Sequence, residues 1–169
     1  MRADVDYVSS LPERRAGYFF ESPATYQPVY VVDASVVLKW FSQEEDSGYA
    51  LRLLEDCLEG RRRLLAPSLL VYEVANALRF NEKLQEEDLR EALRALEAVP
   101  VSTASFRFEA LAGVCRLARE RRLTVYDAAY LALAISEGVP LVTADHLLLQ
   151  QGSPAALVLS PPRLYGVEK

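Results

Sequence analysis

Short apolar runs that alternate with longer helix-like stretches are the feature that most limits how this chain can fold. Residues 29–32 form the run VYVV, which ends at Asp33, and residues 141–143 form the run LVT, shortly before Asp145. Two further runs of this kind occupy residues 64–66 and 156–159. Consecutive apolar positions are typical of strands buried on both faces of a parallel sheet. The alternation therefore predicts an α/β fold with a mainly parallel central sheet flanked by helices.

The stretches between these runs carry apolar residues at the spacing of an α-helix. They predict helices over about residues 36–41, 48–59, 86–99, 111–118 and 124–135, and another that begins after Ser68 and runs through Leu78. Ser35 and Ser68 are the expected N-caps of two of these helices, because a serine hydroxyl accepts hydrogen bonds from the first backbone N–H groups. Gly138 is the expected glycine at the end of the last helix.

The length of 169 residues suits one globular domain. The first 28 residues differ from the rest, since one glycine and three prolines interrupt a segment that has no sustained period. We therefore divide the chain into an N-terminal arm of unknown role, residues 1–28, and a folded domain, residues 29–169. The arm also carries five aromatic residues, four of them within residues 18–26. A free linker and an arm that docks on the domain, or on a second copy of it, fit the sequence equally well.

The charge balance and the cysteines exclude several functions. The chain has 24 acidic residues against 19 lysines and arginines, a net charge of −5, which argues against binding nucleic acid through bulk electrostatics alone. Cys57 and Cys115 stand singly, without the spacing of a zinc site. No apolar run is long enough to cross a membrane, and the start MRADVDYVSS lacks the apolar core of a signal peptide. We expect a cytoplasmic protein with no membrane partner.

Four acidic residues stand out because each follows a predicted strand or lies within an apolar helix: Asp33, Glu73, Asp127 and Asp145. Ligands of open α/β sheets bind beyond the carboxyl ends of the strands, where Asp33 and Asp145 would emerge. Glu73 and Asp127 would join them if their helices begin at the same edge. Capping of the next helix explains either strand-end aspartate equally well, whereas a charge in an apolar helix requires a partner.

Carboxylates that are buried together oppose one another's ionisation, and a divalent cation removes this conflict. Oxygen ligands without histidine or cysteine suit the hard ions Mg²⁺ and Mn²⁺. Such an ion activates water and neutralises charge on a phosphodiester, and it would also let an acidic protein act on nucleic acid. We therefore interpret the four acids as metal ligands and as catalytic residues for phosphoryl chemistry.

The sequence blocks around these acids resemble those of PIN-domain ribonucleases, in particular the toxin of a VapBC-type toxin–antitoxin pair. The blocks are VVDASVVLKWF, APSLLVYEVANAL, LTVYDAAYLALA and GVPLVTAD, and they occur in the family's order over about residues 29–162. No single block carries the resemblance, but the ordered set of four is specific. The N-terminal arm has no counterpart in the family pattern.

The resemblance implies a Rossmann-like PIN domain over residues 29–169 and a metal-dependent endoribonuclease. One or two Mg²⁺ or Mn²⁺ ions would be held by the four matching acids, and water would be the nucleophile, so that cleavage leaves a 5′-phosphate and a 3′-hydroxyl. The resemblance also implies an RNA substrate, a homodimer and a cognate antitoxin protein.

Three polar residues near the acids are supporting candidates. Ser35 matches a family position whose hydroxyl helps to hold a water at the metal, although helix capping would explain it as well. Asn76 lies one turn after Glu73, where it would orient that carboxylate, contact a phosphate or make a buried structural hydrogen bond. Thr143 points to the same side of its strand as Asp145, where it would hydrogen-bond a site carboxylate, although a β-branched strand residue needs no such role.

The rival hypothesis is a non-catalytic PIN-type module that binds RNA or a protein partner. The intact set of acids argues against it. A receiver domain would need two adjacent acids on its first strand, and a dehalogenase-type phosphatase would need Asp-x-Asp where this chain has Asp33-Ala34-Ser35. Both of these fit less well. Lys39 and Arg79, within a turn or two of the acids, are candidate contacts for RNA or an antitoxin.

Overall fold

A single five-stranded sheet organises the computed structural model, which describes residues 27–42, 44, 46–152 and 156–167. All its strand pairs are parallel, and the strand order is β3-β2-β1-β4-β5. The strands are β1 (Val29–Val32), β2 (Arg63–Pro67), β3 (Val101–Ala104), β4 (Leu141–Val142) and β5 (Val158–Leu159). The predicted α/β class with a mainly parallel sheet is confirmed.

Eight helices flank the sheet in the described part of the chain. They are α1 (Ala34–Leu38), α2 (Ser47–Leu58), α3 (Leu70–Arg79), α4 (Glu86–Ala98), α5 (Phe108–Arg121), α6 (Val125–Glu137), α7 (His146–Gly152) and α8 (Pro161–Leu164). The first six correspond to the helices predicted from apolar spacing, whereas α7 and α8 were not predicted. None of the described helices has the length and apolar character needed to cross a membrane.

Two predicted helix starts were wrong. The N-cap of α1 is Asp33, whose carbonyl accepts the first hydrogen bond, from the N–H of Val36, so Ser35 lies inside the first turn. The N-cap of α3 is Leu69, and the hydroxyl of Ser68 instead accepts a hydrogen bond from the hydroxyl of Ser105. Both serines have tertiary partners that a local pattern does not reveal.

Helix α6 ends at the glycine that the sequence predicted, Gly138. Thr124 caps the helix, and Gly138 ends it with a φ of +65°, in the left-handed region that glycine enters without steric cost. The helix packs on β1, β2 and β4, the central strands of the sheet. Residues at its start therefore lie near the carboxyl ends of those strands.

Strand β3 was missed because its sequence, VSTA, is not an apolar run. It lies at the edge of the sheet, and three of its four residues are exposed. A strand with one open side and solvated side chains does not carry the pattern of a buried strand. The predicted arm, residues 1–28, lies outside the described residues except for Gln27 and Pro28.

The order of the strands determines where a ligand can bind. The chain builds outward from β1 through β2 to β3 and then returns to the other side of β1 with β4. A crevice opens at such a reversal, beyond the carboxyl ends of the two neighbouring strands. Asp33 directly follows β1, and Thr143 directly follows β4.

Candidate active site

The four acids that the sequence singled out line one open pocket beyond this reversal. Its volume is about 280 Å³, and its remaining lining residues are Ala34, Ser35, Leu38 and Asn76. Glu73 and Asp127 reach the pocket because each lies in the first turn of its helix, α3 or α6, and Asp145 directly precedes α7. Four segments that are distant in sequence thus deliver one carboxylate each.

Asp33 is the buried member of the set, with 6% of its surface exposed. Its Oδ2 atom accepts hydrogen bonds from the hydroxyls of Ser35 and Thr143, both at 2.6 Å. Burial raises the pKa of Asp33 above its ordinary value and the charge of Asp127 adds to this effect, while the two hydroxyl donors oppose it. The ionised form of Asp33 is therefore costly in the metal-free protein.

The two hydroxyls are themselves fixed by the backbone that follows β4. Ser35 Oγ accepts a hydrogen bond from the N–H of Ala144 at 2.9 Å, and Thr143 Oγ1 accepts one from the N–H of Asp145 at 3.0 Å. Each hydroxyl thus donates to Asp33 and accepts from the strand-end loop. The capping role considered for Ser35 was wrong, and the side chain of Thr143 does contact a site carboxylate.

Glu73 is half-buried, and its Oε2 atom accepts a hydrogen bond from the hydroxyl of Tyr130 at 2.5 Å. Burial raises the pKa of Glu73, the Tyr130 donor opposes the increase, and the charges of Asp33 and Asp127 raise the pKa further. The sequence analysis missed Tyr130. Its position three residues after Asp127 places it one turn along the same helix, which was the available signal.

Asp127 and Asp145 each support a helix start in addition to lining the pocket. Asp127 forms a capping box with Thr124: its Oδ2 accepts from the Thr124 hydroxyl at 2.7 Å, and its N–H donates back to that hydroxyl. Asp145 Oδ1 accepts from the N–H of Leu148 at the start of α7. The hydrogen bonds of each carboxylate to described residues fall on one oxygen, which leaves the second for a ligand.

Asn76 lines the pocket but does not orient Glu73 within the described structure. Its Oδ1 atom accepts a hydrogen bond from Nε of Arg79 at 3.0 Å, and that guanidinium lies over the ring of Phe80. Lys39 forms an ion pair with Glu44 at 3.0 Å. The two cations that the sequence suggested as nucleic-acid or antitoxin contacts therefore have intramolecular partners.

The donor set and the charge of the pocket suit a hard divalent cation. All four acids provide oxygen, and none of the ion pairs among the described residues involves any of them. Burial raises the pKa values of Asp33 and Glu73, and the charges of neighbouring site carboxylates raise them further. As they stand, no three His, Cys, Asp or Glu side chains of the described residues are placed to hold a metal ion together. A cation held by three of the four acids would therefore require some of their side chains to move.

Comparisons with known proteins place the pocket in a family context. A family model described as PIN domain matches residues 30–151. Exonuclease VapC9 of Pyrobaculum aerophilum is 37% identical over 121 residues, which cover 71% of this chain and 83% of that protein. Ribonuclease VapC3 of the same organism is 34% identical over 128 residues, which cover 72% of this chain and 92% of that protein.

Solved structures resemble the fold. The crystal structure of PAE2754 from Pyrobaculum aerophilum matches with a TM-score of 0.58 and 27% identity, covering 82% of this chain and 95% of that one. VapBC2 from Rickettsia felis, solved with a DNA fragment from its promoter, matches with a TM-score of 0.56, covering 78% of this chain and 98% of that one. At 13% identity the second likeness supports the fold alone.

Proposed function

Because this chain belongs to the PIN-domain family and has VapC nucleases among its relatives, we propose that it is a metal-dependent endoribonuclease and the toxin of a toxin–antitoxin pair. The observation that carries the proposal is the meeting of four carboxylates in one open pocket, without a basic partner among the described residues. Asp127 and Asp145 also support helix starts, but that role does not explain why Asp33 and Glu73 lie beside them without a basic partner.

In this proposal Asp33, Glu73, Asp127 and Asp145 hold Mg²⁺ or Mn²⁺ and position the attacking water. When bound, the cation supplies a lowered pKa for water and positive charge beside the phosphodiester. Asp33 is the most firmly held of the four carboxylates, because the hydroxyls of Ser35 and Thr143 both donate hydrogen bonds to it. Water adds to phosphorus while the bond to the 3′ oxygen breaks, so the products carry a 5′-phosphate and a 3′-hydroxyl.

The first test is RNA cleavage by the purified protein with Mg²⁺ or Mn²⁺, with and without EDTA. We expect metal-dependent cleavage by the wild type and none by Asp33→Asn, which keeps the shape of the side chain but removes its charge. Glu137→Gln is the matched control, because Glu137 is exposed at the far end of α6. Equal cleavage by Asp33→Asn and the wild type would refute the assignment, and inactivity of the folded wild type with every metal would favour a binding module.

A circular RNA substrate tests the mode of cleavage, since one relative is named an exonuclease and another a ribonuclease. A circle has no ends, so its conversion to a linear product requires an endonuclease. We expect this conversion with Mn²⁺. Degradation of linear RNA while the circle stays intact would instead assign an exonuclease.

The proposal includes a cognate antitoxin and a homodimer. An RNA substrate also implies a cytoplasmic protein. Light scattering after size exclusion tests the dimer, and co-expression with a small protein encoded beside the gene tests the antitoxin. We expect that partner to bind the nuclease and to suppress cleavage of RNA.

A further inference from the structure

A tyrosine buried beneath the pocket connects two of the elements that carry the acids. Tyr130 lies on α6, one turn after Asp127, and none of its surface is exposed. Its hydroxyl donates to Oε2 of Glu73 on α3. The contact joins residues 57 positions apart in sequence. It therefore fixes the start of α3 to the start of α6, the two helix starts that contribute Glu73 and Asp127.

The geometry points to Tyr130 as a positioning residue that holds the Glu73 carboxylate ready for the cation. This inference rests on the proposed function, and it adds a residue that contributes no atom to the pocket lining. The phenol occupies one carboxylate oxygen, Oε2. Glu73 lines the pocket, and its other oxygen, Oε1, is the one that we expect to bind the ion.

The hydroxyl of Tyr130 contacts Glu73 at a place where burial raises the pKa of that carboxyl above its ordinary value. Glu73 is half-buried, and the nearby charges of Asp33 and Asp127 oppose its ionisation. A hydroxyl donor stabilises the carboxylate, which is the form that binds metal. Burial and the adjacent Glu73 raise the pKa of Tyr130 far above its ordinary value, so the phenol keeps its proton and remains a donor.

A purely structural role for the hydroxyl makes a different prediction. A buried hydroxyl requires a hydrogen-bond partner, and a nearby carboxylate would satisfy that need without any effect on metal binding. In that case Tyr130→Phe would change only the stability of the fold. Hydrogen-bond partners behind metal ligands usually change metal affinity by about 10- to 100-fold, because they fix the orientation of the ligand.

The test is calorimetric titration of the full-length protein with Mn²⁺, in the absence of RNA. Tyr130→Phe removes one oxygen and keeps the ring in the core, and we expect it to bind Mn²⁺ about 10- to 100-fold more weakly than the wild type. Tyr126→Phe is the matched control, because it removes the same group from the same helix at a side chain that is 63% exposed. We expect the affinity of this control to be unchanged.

A double variant shows whether Tyr130 acts through Glu73. Glu73→Gln alone should weaken Mn²⁺ binding, and adding Tyr130→Phe to it should weaken binding no further. Additive losses would show that Tyr130 acts by another route and would overturn the inference. A folded Tyr130→Phe protein with wild-type Mn²⁺ affinity would also overturn it. By contrast, a wild type that binds no Mn²⁺ would refute the proposed function itself.

A measurement on the wild type covers the case in which Tyr130→Phe does not fold. The hydroxyl proton of a fully buried tyrosine exchanges slowly enough to be followed by NMR in protein with isotope-labelled tyrosine. We expect titration with Mg²⁺, which is diamagnetic, to shift the Tyr130 hydroxyl resonance as Glu73 binds the ion. A resonance that stays constant while Mg²⁺ saturates the pocket would overturn the inference.

Discussion

Replacing Thr143 with valine tests whether the hydroxyls beneath Asp33 stabilise the fold as well as the site. Thr143 is fully buried, and its hydroxyl donates to Asp33 at 2.6 Å and accepts from the N–H of Asp145 at 3.0 Å. Valine has the same shape, so the change removes these two hydrogen bonds with little effect on packing.

The expected magnitude follows from those contacts. A hydrogen bond to a charged acceptor contributes about 1.5–3 kcal/mol, and a backbone N–H left without its partner costs about 1 kcal/mol or more. The additional buried methyl group of valine returns about 0.8 kcal/mol. The free energy of unfolding of Thr143→Val should therefore fall by about 2 kcal/mol.

Thr143→Ser is the control, because it keeps the hydroxyl and removes the methyl group, at a cost of about 1 kcal/mol. The assay is equilibrium unfolding in urea with EDTA present, so that no bound metal contributes to stability. The expected order of stability is wild type, then Thr143→Ser, then Thr143→Val. If the valine variant is as stable as the serine variant, or more stable, the hydroxyl does not stabilise the fold and the reasoning fails.

Two further predictions concern a second buried acid and the metal. Asp56 accepts hydrogen bonds from Arg61, Arg62 and the hydroxyl of Tyr165, so Asp56→Asn should destabilise the fold by about 2–4 kcal/mol, measured by urea unfolding. Burial acts to raise the pKa of Asp56, but its three hydrogen-bond donors lower that pKa overall. As the pH falls, the unfolded chain therefore binds the proton before the folded protein does. The free energy of unfolding should decrease as the pH drops through the acid range. Asp56→Asn should lose this part of the pH dependence, and an unchanged acid profile would contradict the assignment. Mn²⁺ at 100 times its dissociation constant should stabilise the fold by about 2.7 kcal/mol, or about 5–10 °C in melting temperature, and the same Mn²⁺ concentration should have a smaller effect on Glu73→Gln.

The sequence predicted those parts of the fold whose signal is local. The runs at residues 29–32 and 141–143 are apolar because their strands are in the centre of the sheet, and burial on both faces is visible in the residues themselves. Strand β3 was missed for the same reason, since an edge strand tolerates the polar sequence VSTA. Helix starts were less predictable, because the serine hydroxyls at residues 35 and 68 accept hydrogen bonds from distant groups rather than from their own helices.

The acids of the candidate site were predictable because a charge in an apolar segment is conspicuous in any sequence. The residues that donate hydrogen bonds to these acids were not predictable from the sequence. Tyr130 reads as an ordinary core aromatic, and only the fold places its hydroxyl beside Glu73. Thr143 reads as a strand residue, and its contact with Asp33 spans 110 positions. Local patterns report what a residue is, whereas these roles depend on what the topology places next to it.

The capping contacts of Asp127 and Asp145 affect how this pocket can change in evolution. Both side chains accept hydrogen bonds at the start of a helix, so a lineage that abandoned catalysis would still be under selection to keep them. The side chains of Asp33 and Glu73 cap no helix, and burial raises the pKa of each. Once selection for catalysis ended, these two positions would drift first. We expect relatives that have lost catalysis to show changes at these two positions first.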